Sequence, residues 1–200
     1  MSALAAFDEA LRRRRGAALL AGVDEAGRGP LAGPVVAAAV VLPAAPEGLA
    51  RVRDSKVLSP ARREQLYGVI RAQALAVGVG WASAAEVDER NILQATFLAM
   101  RRALDRLGPR ACGAWLVVDG DKTVPGVALP QEALVAGDAL SLCVASASVV
   151  AKVVRDRWLR VLDRRFPGYG LAKHKGYGTA EHYRALEVLG ACPEHRRSFL

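Results

Sequence analysis

Residues 17–30 read Ala17-Ala18-Leu19-Leu20-Ala21-Gly22-Val23-Asp24-Glu25-Ala26-Gly27-Arg28-Gly29-Pro30, and this stretch decides the fold. A short apolar run ends in two carboxylates and a glycine-rich turn, and a second run from Pro34 to Leu42 follows at a spacing that suits a hairpin. The first strand is predicted over Ala17 to Val23. Successive side chains of a strand point to opposite faces, so Asp24 and Glu25 cannot both reach one ion by side chain if the strand runs through them. The strand is therefore expected to end at the acids, with Gly27 and Gly29 permitting the turn. Glu25 can alternatively offer its backbone carbonyl, which is also a hard oxygen donor. On local sequence alone the pair reads equally as solvated turn chemistry.

The pattern of an acid closing an apolar run recurs. Trp115 to Val118 leads to Asp119 and Gly120, and a short strand over Ala133 to Ala136 precedes Gly137-Asp138, where Asp138 is expected to open a long basic helix. Carboxylates gathered at strand ends suit Mg²⁺ or Mn²⁺, hard ions that take oxygen ligands and keep positions for water and phosphate. Asp119, directly after Leu116-Val117-Val118, needs a metal or a cationic partner, because an unpaired buried carboxylate is costly. Asp138 has a simpler reading as an acid favoured by a helix N-terminus. Asp121 does not begin a calcium loop, since Val124 and Pro130 stand where glycine and glutamate are required; it reads as a solvated loop acid.

Outward from these motifs, helical and extended patterns alternate along the chain, the mark of an α/β domain with a mixed sheet. A helix is predicted over 1–16, a loop over Ala44 to Gly48, a helix from the Ser59 cap and Pro60 to about Gln73, and a strand from Ala76 to Ser83. From Asn91 a helix carries Leu93, Phe97, Met100, Leu104 and Leu107 on one face, until Gly108-Pro109 ends it. A loop covers Lys122 to Pro130. A long helix is predicted from Ser146 to about Arg165, with Val149, Val150, Val153, Val154, Trp158, Val161 and Leu162 inside and Lys152, Arg155, Asp156 and Arg160 outward. Pro167-Gly168-Tyr169-Gly170 breaks it and a last helix begins near Thr179. One domain over 1–200 accounts for the pattern, with about 166–200 forming a helical C-terminal segment.

The chain has 200 residues, 52% of them hydrophobic, and carries 28 Lys and Arg against 20 Asp and Glu for a net charge of +8. Such an excess suits a polyanionic substrate, although solubility alone also accounts for it. Cys112, Cys143 and Cys192 are odd in number and widely spaced, so they read as small buried hydrophobes in a reducing compartment. Arg12 to Arg15 before an apolar stretch imitates a leader, but cleavage there would damage the strand presenting Asp24. No run reaches the roughly 20 apolar residues of a membrane span, so a cytoplasmic protein is expected.

Basic residues form a second constellation: Lys56, Lys152, Lys173-His174-Lys175 and His195-Arg196-Arg197, all candidates for phosphate contacts or for ordinary solvation. Tyr177 lies between Gly176 and Gly178, an open setting that suits stacking on a sugar or base. The phosphate-loop, dinucleotide, G-x-S-x-G and H-E-x-x-H signatures are absent.

Taken together, the motifs resemble bacterial ribonuclease HII. The resemblance rests on Gly22 to Val35, Asp54-Ser55-Lys56-Val57-Leu58-Ser59, Val118-Asp119-Gly120, Ala145-Ser146-Ala147-Ser148 through Ala151-Lys152 to Arg155-Asp156, and His174-Lys175-Gly176-Tyr177-Gly178-Thr179. It implies a ribonuclease H-like fold and a monomeric endonuclease that cuts the RNA strand of RNA/DNA hybrids and incises 5′ to single ribonucleotides in duplex DNA, leaving 3′-hydroxyl and 5′-phosphate ends. It further implies that Asp24, Glu25, Asp119 and Asp138 hold a pair of Mg²⁺ or Mn²⁺ ions, about 3.5–4 Å apart in such sites. Gly27, Arg28 and Gly29 then meet the 2′-hydroxyl and its backbone, Tyr177 packs on the following sugar, and Lys56, Lys152 and Lys175 contact the duplex. The sibling ribonuclease HIII usually carries an added N-terminal domain; about twenty residues precede the first motif here, which disfavours that reading. Competing readings are a resolvase or integrase-like nuclease sharing the acidic site, and a non-catalytic nucleic-acid-binding module.

Overall fold

The computed structural model describes residues 2–44, 46, 48–49, 52 and 58–200. At its centre is a five-stranded sheet. Strand β2 (Val35–Val41) runs antiparallel to both β1 (Leu19–Ala26) and β3 (Ala76–Ala82), whereas β4 (Ala114–Asp119) lies parallel to β1 and β5 (Gln131–Leu134) parallel to β4, giving the order β3-β2-β1-β4-β5. Around it stand α1 (Ala3–Arg15), α2 (Pro60–Gln73), α3 (Ala84–Arg90), α4 (Ile92–Asp105), the single turn α5 (Gly137–Leu140), the long α6 (Leu142–Arg165), α7 (Leu171–His174) and α8 (Ala180–Leu189). The expected mixed sheet flanked by helices, with a helical C-terminal part, is what forms. Among the described residues no helix is long and apolar enough to cross a membrane.

The sheet is covered on both faces, which is why its central strands read as continuous apolar runs. Ala21, Val23, Val35 and Ala37 face Phe97, Met100 and Ala103 of α4. Leu20, Ala38 and Val40 face the other way, with Val144 and Ala147 of α6, Leu66 and Ile70 of α2, and Leu11 of α1. Gly22 sets the fit of α6 on β1: a β-carbon there would stand 2.2 Å from the Cys143 carbonyl carbon.

Several sequence expectations need correction. Strand β1 does not stop before the acids but continues through Asp24, Glu25 and Ala26, held by antiparallel pairing of Glu25 with Ala37 and Ala26 with Val36. Asp138 does not open the long helix: it lies in the single turn α5, and α6 begins at Leu142 under the Ser141 cap rather than at Ser146. Strand β5 occupies Gln131–Leu134, and Ala136 is left-handed at φ 55°, which ends extended structure earlier than expected. Helix α3 has no counterpart in the sequence reading, although Ser83 and Glu86 form a full capping box at its start. On α6 the assigned faces fail in part, with Arg155 and Asp156 buried and Val161 exposed. Cys112 is exposed rather than buried.

Candidate active site

The register of the two central parallel strands builds the acidic site. Val23 of β1 pairs with Val118 of β4, so the next residue on each strand, Asp24 and Asp119, emerges at the same sheet edge on neighbouring strands. Parallel neighbours lie about 4.8 Å apart and in-register side chains share a face. Asp24 follows Gly22 on the α6 face and Asp119 follows Val117 onto it. Asp24 is buried and accepts the Glu25 N–H at 2.6 Å, and the Ser148 hydroxyl of α6 hydrogen-bonds it. The Gly137 N–H donates to Asp119 Oδ1 at 2.7 Å, which brings the α5 turn against the end of β4 and leaves Asp138 buried one residue beyond.

Asp24, Glu25 and Asp119 line one cavity of about 230 Å³ with Ala26, Gly27, Arg28, Gly29, Ser148, Lys152, Arg155 and Tyr177. Because β1 runs on through the acids, Glu25 turns toward α4, where with Arg28, Asp119 and Lys122 it borders a second cavity of about 280 Å³ over Leu93, Phe97 and Met100. The acids therefore form a wall between two hollows. Asp138 does not line either one.

Electrostatics test whether these acids suit a cation. Burial, then the Glu25 and Asp119 charges, push the Asp24 carboxyl well above the usual carboxylate range. Burial also raises Glu25, opposed by Arg28, whose Nη1 stands 3.5 Å from Glu25 Oε1, while Asp119 adds to the rise. Several hard oxygen donors repelling one another beside one exposed arginine are a donor set that a divalent ion would relieve. Among the described residues no three acidic, histidine or cysteine side chains already stand in ligating geometry.

Of the sequence-predicted substrate residues, Gly27, Arg28, Gly29, Lys152 and Tyr177 gather around the same cavity. Gly27, Arg28 and Gly29 form its rim, and half-exposed Tyr177 faces Gly29, where an added β-carbon would lie 3.8 Å from the ring. Lys152 lines the cavity with its Nζ 2.8 Å from Asp156 Oδ1. Lys175 lies outside it, in an adjoining groove shared with Lys152, Arg63, Arg160 and Lys173. Lys56 lies outside the described residues.

Three features escaped sequence reasoning. Ser148 stands in the sequence only as part of the Ala145-Ser146-Ala147-Ser148 motif, yet it touches Asp24. Arg155, expected to face outward, instead donates its guanidinium to the carbonyls of Pro34, Lys175 and Ala32 at 3.0–3.1 Å; it falls on the Ser148, Ala151, Leu159, Leu162 stripe, a four-and-three spacing that marks the position as interior. Arg196, a candidate phosphate contact by sequence, is fully buried. All three histidines are structural: His182 Nδ1 bonds the Tyr177 carbonyl at 3.0 Å, His182 Nε2 and His195 Nε2 meet at 3.0 Å, and His174 bonds the Tyr169 carbonyl and the Gly176 N–H.

Comparison with known proteins accounts for this arrangement. The family model described as ribonuclease HII matches residues 21–200. The chain is 59% identical over 181 residues to a ribonuclease HII of Acidovorax sp. (strain JS42), covering 90% of this chain and 85% of that one. It is 57% identical over 193 residues to that of Syntrophotalea carbinolica, covering 96% and 90%. Among solved structures, the ribonuclease H2 from Pyrococcus horikoshii superposes with a TM-score of 0.73 at 27% identity, covering 90% of this chain and 93% of that one. The ribonuclease HII in a PCNA complex from Archaeoglobus fulgidus gives 0.74 at 27% identity, covering 91% and 95%. The sheet and its helices thus form a ribonuclease H-like fold, and the chain belongs to the ribonuclease HII family of endoribonucleases, which act on RNA/DNA hybrids.

Proposed function

We propose that this chain is a divalent-metal-dependent endoribonuclease that cuts the RNA strand of hybrids and also incises 5′ to single ribonucleotides in duplex DNA, leaving 3′-hydroxyl and 5′-phosphate ends. It acts as a monomer in the cytoplasm, in ribonucleotide excision during replication and repair, with 1–200 as one catalytic domain and about 166–200 contacting substrate. The observation that carries the reading is one cavity lined both by Asp24 and Asp119, at the ends of adjacent parallel strands, and by Gly27, Arg28, Gly29 and Tyr177.

Asp24, Glu25 and Asp119, which line the cavity, would hold Mg²⁺ or Mn²⁺ with Asp138 joining from the α5 turn packed against Asp119, and a bound pair supplies water activation and charge neutralisation at the scissile phosphate. The remaining work falls to the chain. Ser148 and the Glu25 N–H fix the Asp24 carboxylate on the α6 side. The Gly137 N–H fixes that of Asp119. The open backbone of Gly27-Arg28-Gly29 admits a sugar edge closely enough to meet a 2′-hydroxyl, the group that separates RNA from DNA. Tyr177 offers its half-exposed ring to the neighbouring sugar, and Lys152, held by Asp156, is placed beside the path of a phosphate.

The test is a DNA duplex carrying one ribonucleotide, incubated with Mg²⁺ or Mn²⁺ beside an all-DNA duplex and a chelated control. Cleavage of the first duplex alone, 5′ to the ribonucleotide and only with metal, is expected. Cleavage of both would favour a resolvase-like enzyme, and binding without cleavage a non-catalytic module.

A further inference from the structure

We infer that Arg196, outside the catalytic cavity, is a positioning residue for ribonucleotide recognition: its guanidinium turns the backbone N–H groups of Arg28 and Gly29 toward the substrate's 2′-oxygen. The inference rests on the proposed reading of this cavity and deepens it.

Arg196 is 0% exposed, and among the described residues no carboxylate makes a direct ion pair with it, Asp88 acting on its charge only from a distance. A buried guanidinium demands hydrogen bonds in compensation. It finds them only on backbone: Nη2 donates to the carbonyls of Gly27 at 2.6 Å and Gly33 at 2.9 Å, Nη1 to those of Arg28 at 2.9 Å and Pro30 at 2.8 Å, and Nε to Gly33 at 3.1 Å. One side chain from the end of the sequence thus gathers four carbonyls of the Gly27–Gly33 loop onto a single planar fork. Its own N–H donates to the Leu31 carbonyl at 2.8 Å, and Phe199 packs 5.3 Å from the guanidinium carbon.

Peptide geometry turns that clamp into a recognition device. In a trans peptide the N–H points opposite to the carbonyl of the same plane, and the chain has no cis bonds among the described residues. Drawing the Gly27 and Arg28 carbonyls onto Arg196 therefore directs the N–H groups of Arg28 and Gly29 away from it. Both residues line the catalytic cavity, and among the described residues neither N–H has a partner. Two adjacent outward donors suit one acceptor oxygen with two lone pairs, which a 2′-hydroxyl provides and a deoxyribose lacks. The Leu31 N–H, by contrast, is taken by the Gly176 carbonyl at 2.8 Å, which ties the loop to the Tyr177 turn.

Lysine keeps the charge of arginine but offers a single nitrogen with no planar fork. Arg196→Lys is tested against its parent by equilibrium binding in Mg²⁺, both carrying Asp119→Asn to prevent cleavage, on a duplex with one ribonucleotide and on its all-DNA counterpart. The parent is expected to prefer the ribonucleotide duplex, and Arg196→Lys to lose about tenfold of that preference while binding the all-DNA duplex as before. Equal weakening on both duplexes, or an unchanged preference, overturns the positioning role. A parent without preference overturns the reading of the cavity itself, independently of the cleavage assay. Should Arg196→Lys not fold, the unaltered Arg196 protein decides: the Gly29 amide proton resonance should move downfield with the ribonucleotide duplex only, and an unmoved resonance overturns the inference.

Discussion

Asp24 illustrates how a single residue is set against the stability of its own fold. Burial and the charges of Glu25 and Asp119 raise its carboxyl pKa in the folded chain. A folded-state pKa above the unfolded value means that the native state holds the proton more tightly, so the ionised carboxylate weakens the metal-free fold above that pKa and the penalty fades as pH falls through it. Asp24→Asn removes the charge with little change of shape. In metal-free protein near pH 8 it is expected to gain about 1 kcal/mol, or about 2–4 °C in thermal midpoint, with the gain shrinking as pH is lowered through the folded-state value. Activity should nearly vanish, the trade-off of a strained site. Thermal scans across pH check this, and a variant destabilised equally at every pH would show that Asp24 serves the fold. Asp24 and Asp119 were legible in sequence because each closes an apolar run. Arg155 was legible only through the periodicity of its helix, and Arg196 not at all, because an arginine that pairs with backbone carbonyls leaves no complementary acid to find.

At the scale of elements, the strands and most helices follow from periodicity and caps, and the errors at β1 and at the start of the long helix share one cause. Both expectations take an acid as a boundary, ending β1 at Asp24 and opening the long helix at Asp138, whereas β1 continues and the Ser141 cap starts α6. Hydrogen bonds settle such boundaries, and pairing with β2 carries β1 past the acids. Closeness of elements is a further property that sequence hides. Gly22 lets α6 lie against β1, whereas Gly68 within α2 has open space around it. Gly22→Ala should cost about 2–3 kcal/mol, about 5–10 °C, because backbone must move to admit the methyl group. It should also lower turnover about a hundredfold, since α6 carries Ser148 and Lys152 and a shift of about 1 Å in such a support is costly. Gly68→Ala should instead gain about 0.5–1 kcal/mol through helix propensity. Chemical denaturation of the two variants checks the contrast, and equal effects would remove the close approach as the cause.

For the whole molecule, the net charge of +8 pointed to a polyanion but not to where it would lie. The fold resolves this, because α6 carries Lys152 on the border between the acidic cavity and a groove of about 470 Å³ that also presents Arg63, Arg160, Lys173 and Lys175 against Glu64 and Asp156. Many of these cations are already held: Lys152 by Asp156, Lys173 by Glu181 and Arg160 by Glu64. Burial lowers the Lys175 ammonium, with Asp156 opposing. Their contribution to a duplex is therefore placement along a track leading from the acids, more than bulk attraction. Neutralising about four phosphates on that track gives a slope near −3.6 in log affinity against log salt, about a hundredfold loss between 50 and 200 mM. Replacing Lys152 and Lys175 together by Ala should reduce the slope by about two and weaken ribonucleotide and all-DNA duplexes alike. Titrations at several salt concentrations measure both quantities. An unchanged slope in the double variant would move the duplex off this groove, and a loss confined to the ribonucleotide duplex would make the two lysines readers of the sugar rather than of the backbone.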